Sequence, residues 1–260
     1  MSNKKLLASA RRIVIKVGSS SITGENEANL DRIVDLSVRL MQSGKQVILV
    51  SSGAIATAAP LIGLTVKSED LATSQALAAI GQAKLMSRYE RSLSRHNLMP
   101  AQILLTVDNL DEENTSENAL RALERLLEIG VLPVINENDS VATQEIRFGD
   151  NDQLAARVAL LARADLLVLL SDIDALYTRP PSEAGAEPIS VVSEDKQLEE
   201  IQVSGTSTGY GTGGALTKVA AARMATAGGV GVLLAAASNV EVLDTQDCRH
   251  TWFKPQKERD

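Results

Sequence analysis

Two lysines stand where a lysine can do chemistry. Lys16 closes a β-branched run, Arg12 to Val17, and is followed by Gly18-Ser19-Ser20. A lysine in an apolar strand is poorly explained as core. It either snorkels to water or points into the crevice above the strand end. Lys218 follows a loop whose Gly205, Gly209, Gly211, Gly213 and Gly214 admit left-handed backbone, and it falls in the first turn of an expected helix. Gly-rich backbone, a helix N-terminus and a lysine can cradle phosphates; a linker would also be Gly-rich. The spacing is neither G-x-x-x-x-G-K-[ST] nor G-x-G-x-x-G. Between the lysines lie two amide and carboxylate clusters, Asn136-Glu137-Asn138-Asp139 and Asp150-Asn151-Asp152. Such residues favour turns, which would account for one cluster. Two of them around one short strand-like segment suit a small polar ligand carrying an ammonium, or one reached through a metal ion.

Two shorter elements join them. Ser51-Ser52-Gly53 follows the run Gln46 to Val50 and is either a capped turn or a backbone N–H pocket for an anion. Ser171-Asp172 ends Leu166 to Leu170, where a polar pair either turns the chain or touches a ribose or base. The combination points to phosphoryl transfer, which needs positioning and cations around developing negative charge. Neither His96 nor His250 is placed as a general base near these motifs. An acceptor that is already ionised needs none, and a carboxylate of pKa ~4.3 is one. Acyl-phosphate formation fits; a phosphate acceptor would fit equally.

The elements that must position these residues alternate. Strands are expected at Arg12–Val17, Gln46–Val50, Gln102–Leu105, Val131–Ile135, Leu166–Leu170, Val230–Leu234 and Thr251–Phe253. Helices are expected near Leu30–Met41, Ser74–Ser94, Asp152–Ala162 and Ala215–Ala227. Another carries Leu120, Leu123 and Leu127 on one face, with an Asn114/Glu117 capping box and Gly130 past its end. The strand runs are nearly continuous in apolar residues, as in strands buried on both faces between helices. An open, largely parallel sheet with helices on both sides is the expected architecture. Tyr177 to Pro188 reads as an exposed loop and Lys254 to Asp260 as a charged tail.

Composition removes several alternatives. With 44% hydrophobic residues in 260, the chain can build one large α/β domain. A net charge of −7 and 2% aromatic content argue against nucleic-acid binding. One cysteine, Cys248, allows no internal disulfide and fits a reducing cytoplasm. No run approaches the ~18 apolar residues of a membrane helix.

KVGSS at Lys16, VSSGAIA at Val50, AAIGQAKLM at Ala78, PVINENDSVAT at Pro133, FGDNDQLAA at Phe148, LLSDIDALYT at Leu169 and GTGGALTK at Gly211 together resemble the amino-acid kinase family, on its glutamate-using branch. The resemblance runs from Ile15 to about Phe253. It implies a three-layer αβα sandwich forming a single domain over 1–260, with glutamate over the N-terminal half and ATP over the C-terminal half. The implied reaction is transfer from ATP, with Mg2+, to the side-chain carboxylate of L-glutamate, opening proline biosynthesis. Carried over, Lys16, Asp152 and Lys218 would be catalytic, Asp152 orienting the lysines. Ser52, Asp139 and Asn151 would bind glutamate, with Asn136 and Asp150 nearby. Lys16, Ser171, Asp172, Thr212, Gly213, Gly214, Ala215, Leu216, Thr217 and Lys218 would bind ATP. No residue is assigned to a metal. Feedback by proline and a homodimer or homotetramer are implied. The RNA-associated PUA domain that many bacterial relatives carry is not expected here. The rival readings are a sister kinase acting on another anionic acceptor and a non-catalytic amino-acid sensor.

Overall fold

The chain is described by a computed structural model over residues 1–64, 70–141, 151–179, 181–193 and 215–256. Its apolar runs form the strands β1 (Arg12–Val17), β2 (Gln46–Ser51), β3 (Pro100–Leu105), β4 (Leu132–Glu137), β5 (Leu166–Ser171), β8 (Val191–Val192), β9 (Gly231–Ala236) and β10 (His250–Phe253). Among the described residues these make one eight-stranded sheet in the order β3-β4-β2-β1-β5-β9-β10-β8. Its pairs are parallel except β9 with β10. The sheet is thus mostly parallel, as the continuous apolar runs predicted.

Helices cover both faces, and the period-two alternation of β1 assigns them. Ile13, Ile15 and Val17 enter a core shared with α1 (Asn3–Ser9), α2 (Asn29–Gln42) and α4 (Leu71–Ser94). Val14 enters the opposite core, shared with α6 (Glu113–Glu128), α7 (Asn151–Leu161) and α8 (Ala215–Ala227). Lys16 alternates with Val14, so it faces the side of α7 and α8. β1 has β2 on one side and β5 on the other. Its carboxyl end therefore lies where the strand order diverges, the place where open α/β sheets bind ligands.

The short helix α3 (Ala54–Ala58) follows β2 through Gly53, whose φ of 98° favours glycine. Gly81 lets α4 pass against this turn: a Cβ on Gly81 would stand 1.8 Å from the Ala54 carbonyl oxygen. Gly81→Ala is expected to lower Tm by about 2–10 °C, through overpacking against rigid backbone. An unchanged melting curve would mean that α3 yields freely.

Several local expectations need correction. α1 and α5 (Val107–Asp111) were not expected. A capping box forms at Thr106 and Asn109, at the start of α5, rather than at Asn114 and Glu117. α6 starts after Glu112 without a side-chain cap, and Glu117 pairs with Arg121 at 2.8 Å instead. The segment expected as a loop from Tyr177 to Pro188 is closed at its base by β6 (Leu176–Tyr177) and β7 (Pro188–Ile189), which pair antiparallel.

Candidate active site

Asp152 is the junction of the site. It lies in the first turn of α7, where the helix dipole favours an anion, and it is fully buried. Lys16 Nζ, from β1, stands 2.6 Å from its Oδ1. Lys218 Nζ, from the first turns of α8, stands 3.3 Å from its Oδ2, to which the Thr217 hydroxyl donates at 2.9 Å. The two ammonium-bearing residues are themselves only 4% and 5% exposed. Small side chains permit this convergence: Ala155, Ala156 and Ala159 of α7 share a core with Ala221, Ala222 and Ala225 of α8, so the two helices can approach closely. Burial alone would raise the Asp152 carboxyl, but the charges of Lys16 and Lys218 and hydrogen bonds from Lys16 and Thr217 outweigh it and hold the group below the usual carboxylate range. The ionised form thus stabilises the fold above the ordinary carboxylate pKa, and that contribution is lost as pH falls through the lowered value.

Asn151, one residue earlier, faces the ends of β2 and β4. Its Nδ2 donates to Ser51 O at 2.7 Å, Asn136 Oδ1 at 2.8 Å and Ser52 Oγ at 2.9 Å. Asn151 Oδ1 is buried and accepts no hydrogen bond among the described residues. Asn136 also accepts from the Glu137 N–H at 2.9 Å and donates to Gln82 Oε1 of α4 at 2.9 Å. Ser51 is braced from behind by Tyr89, whose hydroxyl lies 2.8 Å from its Oγ; full burial pushes the Tyr89 phenol up to about 12.

Asp139 begins a 3-10 turn after β4. With Gln82 and Glu137 it lines a recess of about 130 Å³. Burial raises its carboxyl to about 6, and no cationic side chain among the described residues pairs with it. The unfolded chain releases this proton near pH ~4 and the folded chain near 6, so folding loses stability across that window and carries a constant penalty above it. Asp139→Asn is therefore expected to raise Tm at pH 7.5, with the gain shrinking as pH falls toward 4. A gain that is constant across pH would assign it to something other than this ionisation.

The structure thus brings together Lys16, Asp152 and Lys218, and separately Ser52, Asn136 and Asn151, the two groups joined by the Asn151-Asp152 peptide. Asp139 stands beside the second group. Ser171 ends β5, buried, and donates to Asp172 Oδ1 at 2.9 Å. That bond shapes a turn and leaves Asp172 exposed to solvent. Ala215, Leu216 and Thr217 open α8, Leu216 being exposed. Asp150, Thr212, Gly213 and Gly214 lie outside the described residues. Sequence reasoning missed Gln82 and Tyr89. Among the described residues no group of three or more His, Cys, Asp or Glu is arranged to hold a metal. Nor is any helix there long and apolar enough to cross a membrane.

The family model for the amino acid kinase family matches residues 11–235, which spans the sheet from β1 to β9 and both lysines. The chain belongs to the amino acid kinase family. It is 53% identical over 250 residues to a glutamate 5-kinase of Clavibacter michiganensis subsp. michiganensis, covering 96% of each. It is likewise 53% identical to a glutamate 5-kinase of Leifsonia xyli subsp. xyli, covering 97% of this chain and 94% of the relative. Among solved structures, carbamate kinase from Giardia lamblia bound to AMP-PNP superposes with a TM-score of 0.64 at 12% identity, covering 95% of this chain and 100% of that one. That likeness establishes the shared fold.

Proposed function

We propose that this chain is an ATP-dependent glutamate 5-kinase, transferring the γ-phosphoryl group of ATP to the side-chain carboxylate of L-glutamate to give ADP and L-glutamyl 5-phosphate, the first step of proline biosynthesis. The observation that carries the reading is the convergence of Lys16 and Lys218, 202 positions apart, on the buried carboxylate of Asp152. Two ammonium groups held by one anion form a preorganised cationic pair. Such a pair can neutralise the charge that spreads over the phosphoryl oxygens during transfer, with little reorganisation at the moment of reaction. Names and near-complete coverage of the relatives support the substrate assignment.

In this reading the single domain is divided by function along the sheet. The glutamate ammonium is taken by Asp139, a largely buried carboxylate that lacks a cationic partner among the described residues. Asn151 and Ser52 hold the acceptor, with Asn136 and Asp150 nearby. Asn151 Oδ1, buried and without a hydrogen-bond donor among the described residues, can accept from an ammonium. ATP lies toward the C-terminal half, against Lys16, Ser171, Asp172 and the stretch Thr212 to Lys218. Magnesium would arrive with the nucleotide. This ion commonly takes phosphates and waters as most of its ligands, and Asp152, engaged by two lysines and Thr217, has little coordination to offer it. Proline as feedback inhibitor, a cytoplasmic location and a dimeric or tetrameric assembly complete the proposal.

The test is ADP release from ATP and Mg2+ against L-glutamate, N-acetylglutamate and L-aspartate, with proline added as inhibitor. L-Glutamate should be the preferred acceptor by a wide margin. Preference for N-acetylglutamate, which has no ammonium for Asp139 to meet, would overturn the acceptor assignment.

A further inference from the structure

We infer that Gln82 of α4 is a specificity-determining residue that binds the α-carboxylate of the acceptor through its side-chain Nε2. The inference deepens the glutamate reading and rests on it.

Hydrogen-bond polarity fixes the orientation of Gln82, because an amide side chain has one accepting and one donating end. Two backbone groups fix the network. The Glu137 N–H can only donate, and it meets Asn136 at 2.9 Å; the end it meets must be Oδ1. The Ser51 carbonyl can only accept, and it meets Asn151 at 2.7 Å; the end it meets must be Nδ2. That Nδ2 also reaches Asn136 at 2.8 Å, which again requires Asn136 Oδ1 there. The two anchors agree, so Asn136 turns Nδ2 toward Gln82 and Gln82 must accept through Oε1 at 2.9 Å. Its Nε2 is left with no acceptor among the described residues.

The setting of that donor gives it a purpose. Gln82 lines the same recess as Asp139 and Glu137, and among the described residues no cationic side chain lines it. An α-amino acid carries its ammonium and carboxylate on one carbon. If Asp139 takes the ammonium, a donor must lie beside it for the carboxylate, and near two acidic residues a neutral amide is available to supply it. Asn138 also lines the recess, but its orientation is set only by the rotatable Ser140 hydroxyl at 2.7 Å, whereas that of Gln82 is set by two backbone groups.

The experiment compares kcat/KM for L-glutamate with that for 4-aminobutyrate, which is glutamate without its α-carboxylate, in wild type, Gln82→Glu and Gln82→Met. 4-Aminobutyrate is read as a substrate or, if turnover is too slow, as a competitive inhibitor. Gln82→Glu keeps an acceptor for Asn136 and replaces the donor by an anion; Gln82→Met removes both. Loss of a hydrogen bond to a charged group predicts a fall of about 10- to 100-fold for glutamate, mainly through KM, with KM for ATP unchanged and 4-aminobutyrate little affected in Gln82→Glu. A parallel fall for both ligands in Gln82→Glu would overturn the inference and leave Gln82 as a support for Asn136. An unchanged glutamate KM in both variants would overturn it as well. If wild type fails to phosphorylate glutamate at all, the functional reading itself fails, a result visible before any variant is made.

Discussion

Replacing either Lys16 or Lys218 by Met lowers kcat by about 100- to 1,000-fold, the range typical of removing one preorganised group that stabilises transition-state charge, while KM for glutamate moves far less. Methionine keeps most of the length and apolar volume of the lysine stem, so the change isolates the ammonium. Each variant leaves Asp152 with its other lysine, at 3.3 Å in Lys16→Met and 2.6 Å in Lys218→Met, so Asp152 is not stranded. The penalty of an uncompensated buried charge is thereby avoided at Asp152, and Tm should hold within a few degrees. Loss of turnover in a folded protein then reports on chemistry. Steady-state ADP release with saturating ATP and L-glutamate, set beside a melting curve, is the measurement. Near-wild-type kcat in either variant would remove that lysine from the transfer. The two losses should also be less than multiplicative in the double variant, since residues that act as one unit are strongly non-additive.

The fold was legible wherever burial on both faces leaves a continuous apolar run, as in Leu166 to Leu170. Short elements held by tertiary contacts were not. α1 has seven residues and α5 has five, too few for a periodic pattern to emerge. Asn114 and Glu117 have capping-box spacing, yet α6 begins earlier, after Glu112, because α5 ends immediately before it and the chain turns between the two helices. Spacing identifies a cap only when the neighbouring element leaves room for it.

The site divides in the same way. Lys16 could be singled out because a lysine is expensive in a buried strand, and Lys218 because it follows flexible backbone at a helix start. Asp152 stood in an acidic cluster, and only the approach of α7 to α8 shows which carboxylate of that cluster meets the lysines. Gln82 lay within the motif AAIGQAKLM but neither it nor Tyr89 stood out as a site residue, since polar residues on a long helix are ordinary. Their roles arise from Gly81, whose missing side chain lets α4 lie against Ala54 and so brings Gln82 to Asn136 and Tyr89 to Ser51.

Asp152→Asn should be the most damaging single change, because it affects stability and chemistry together. The amide keeps the shape but removes the charge that two buried ammonium groups share. Lys16 loses the carboxylate 2.6 Å from its Nζ, and stranding a buried charge destabilises by about 3–5 kcal/mol, which for a chain of this size corresponds to a fall in Tm of roughly 5–15 °C. The anion that places both lysines is also gone, so activity should not return even where the protein folds. The sign of the effect offers a sharper test. Adding Lys16→Met to Asp152→Asn removes the stranded charge of Lys16, and Tm should rise above that of Asp152→Asn alone while kcat stays at or below its level. Two additive losses of stability would mean that the three groups are not electrostatically coupled. A recovery of Tm without a recovery of turnover would show that Asp152 maintains two mutually repelling cations in one place, a role in which stability and catalysis depend on the same carboxylate.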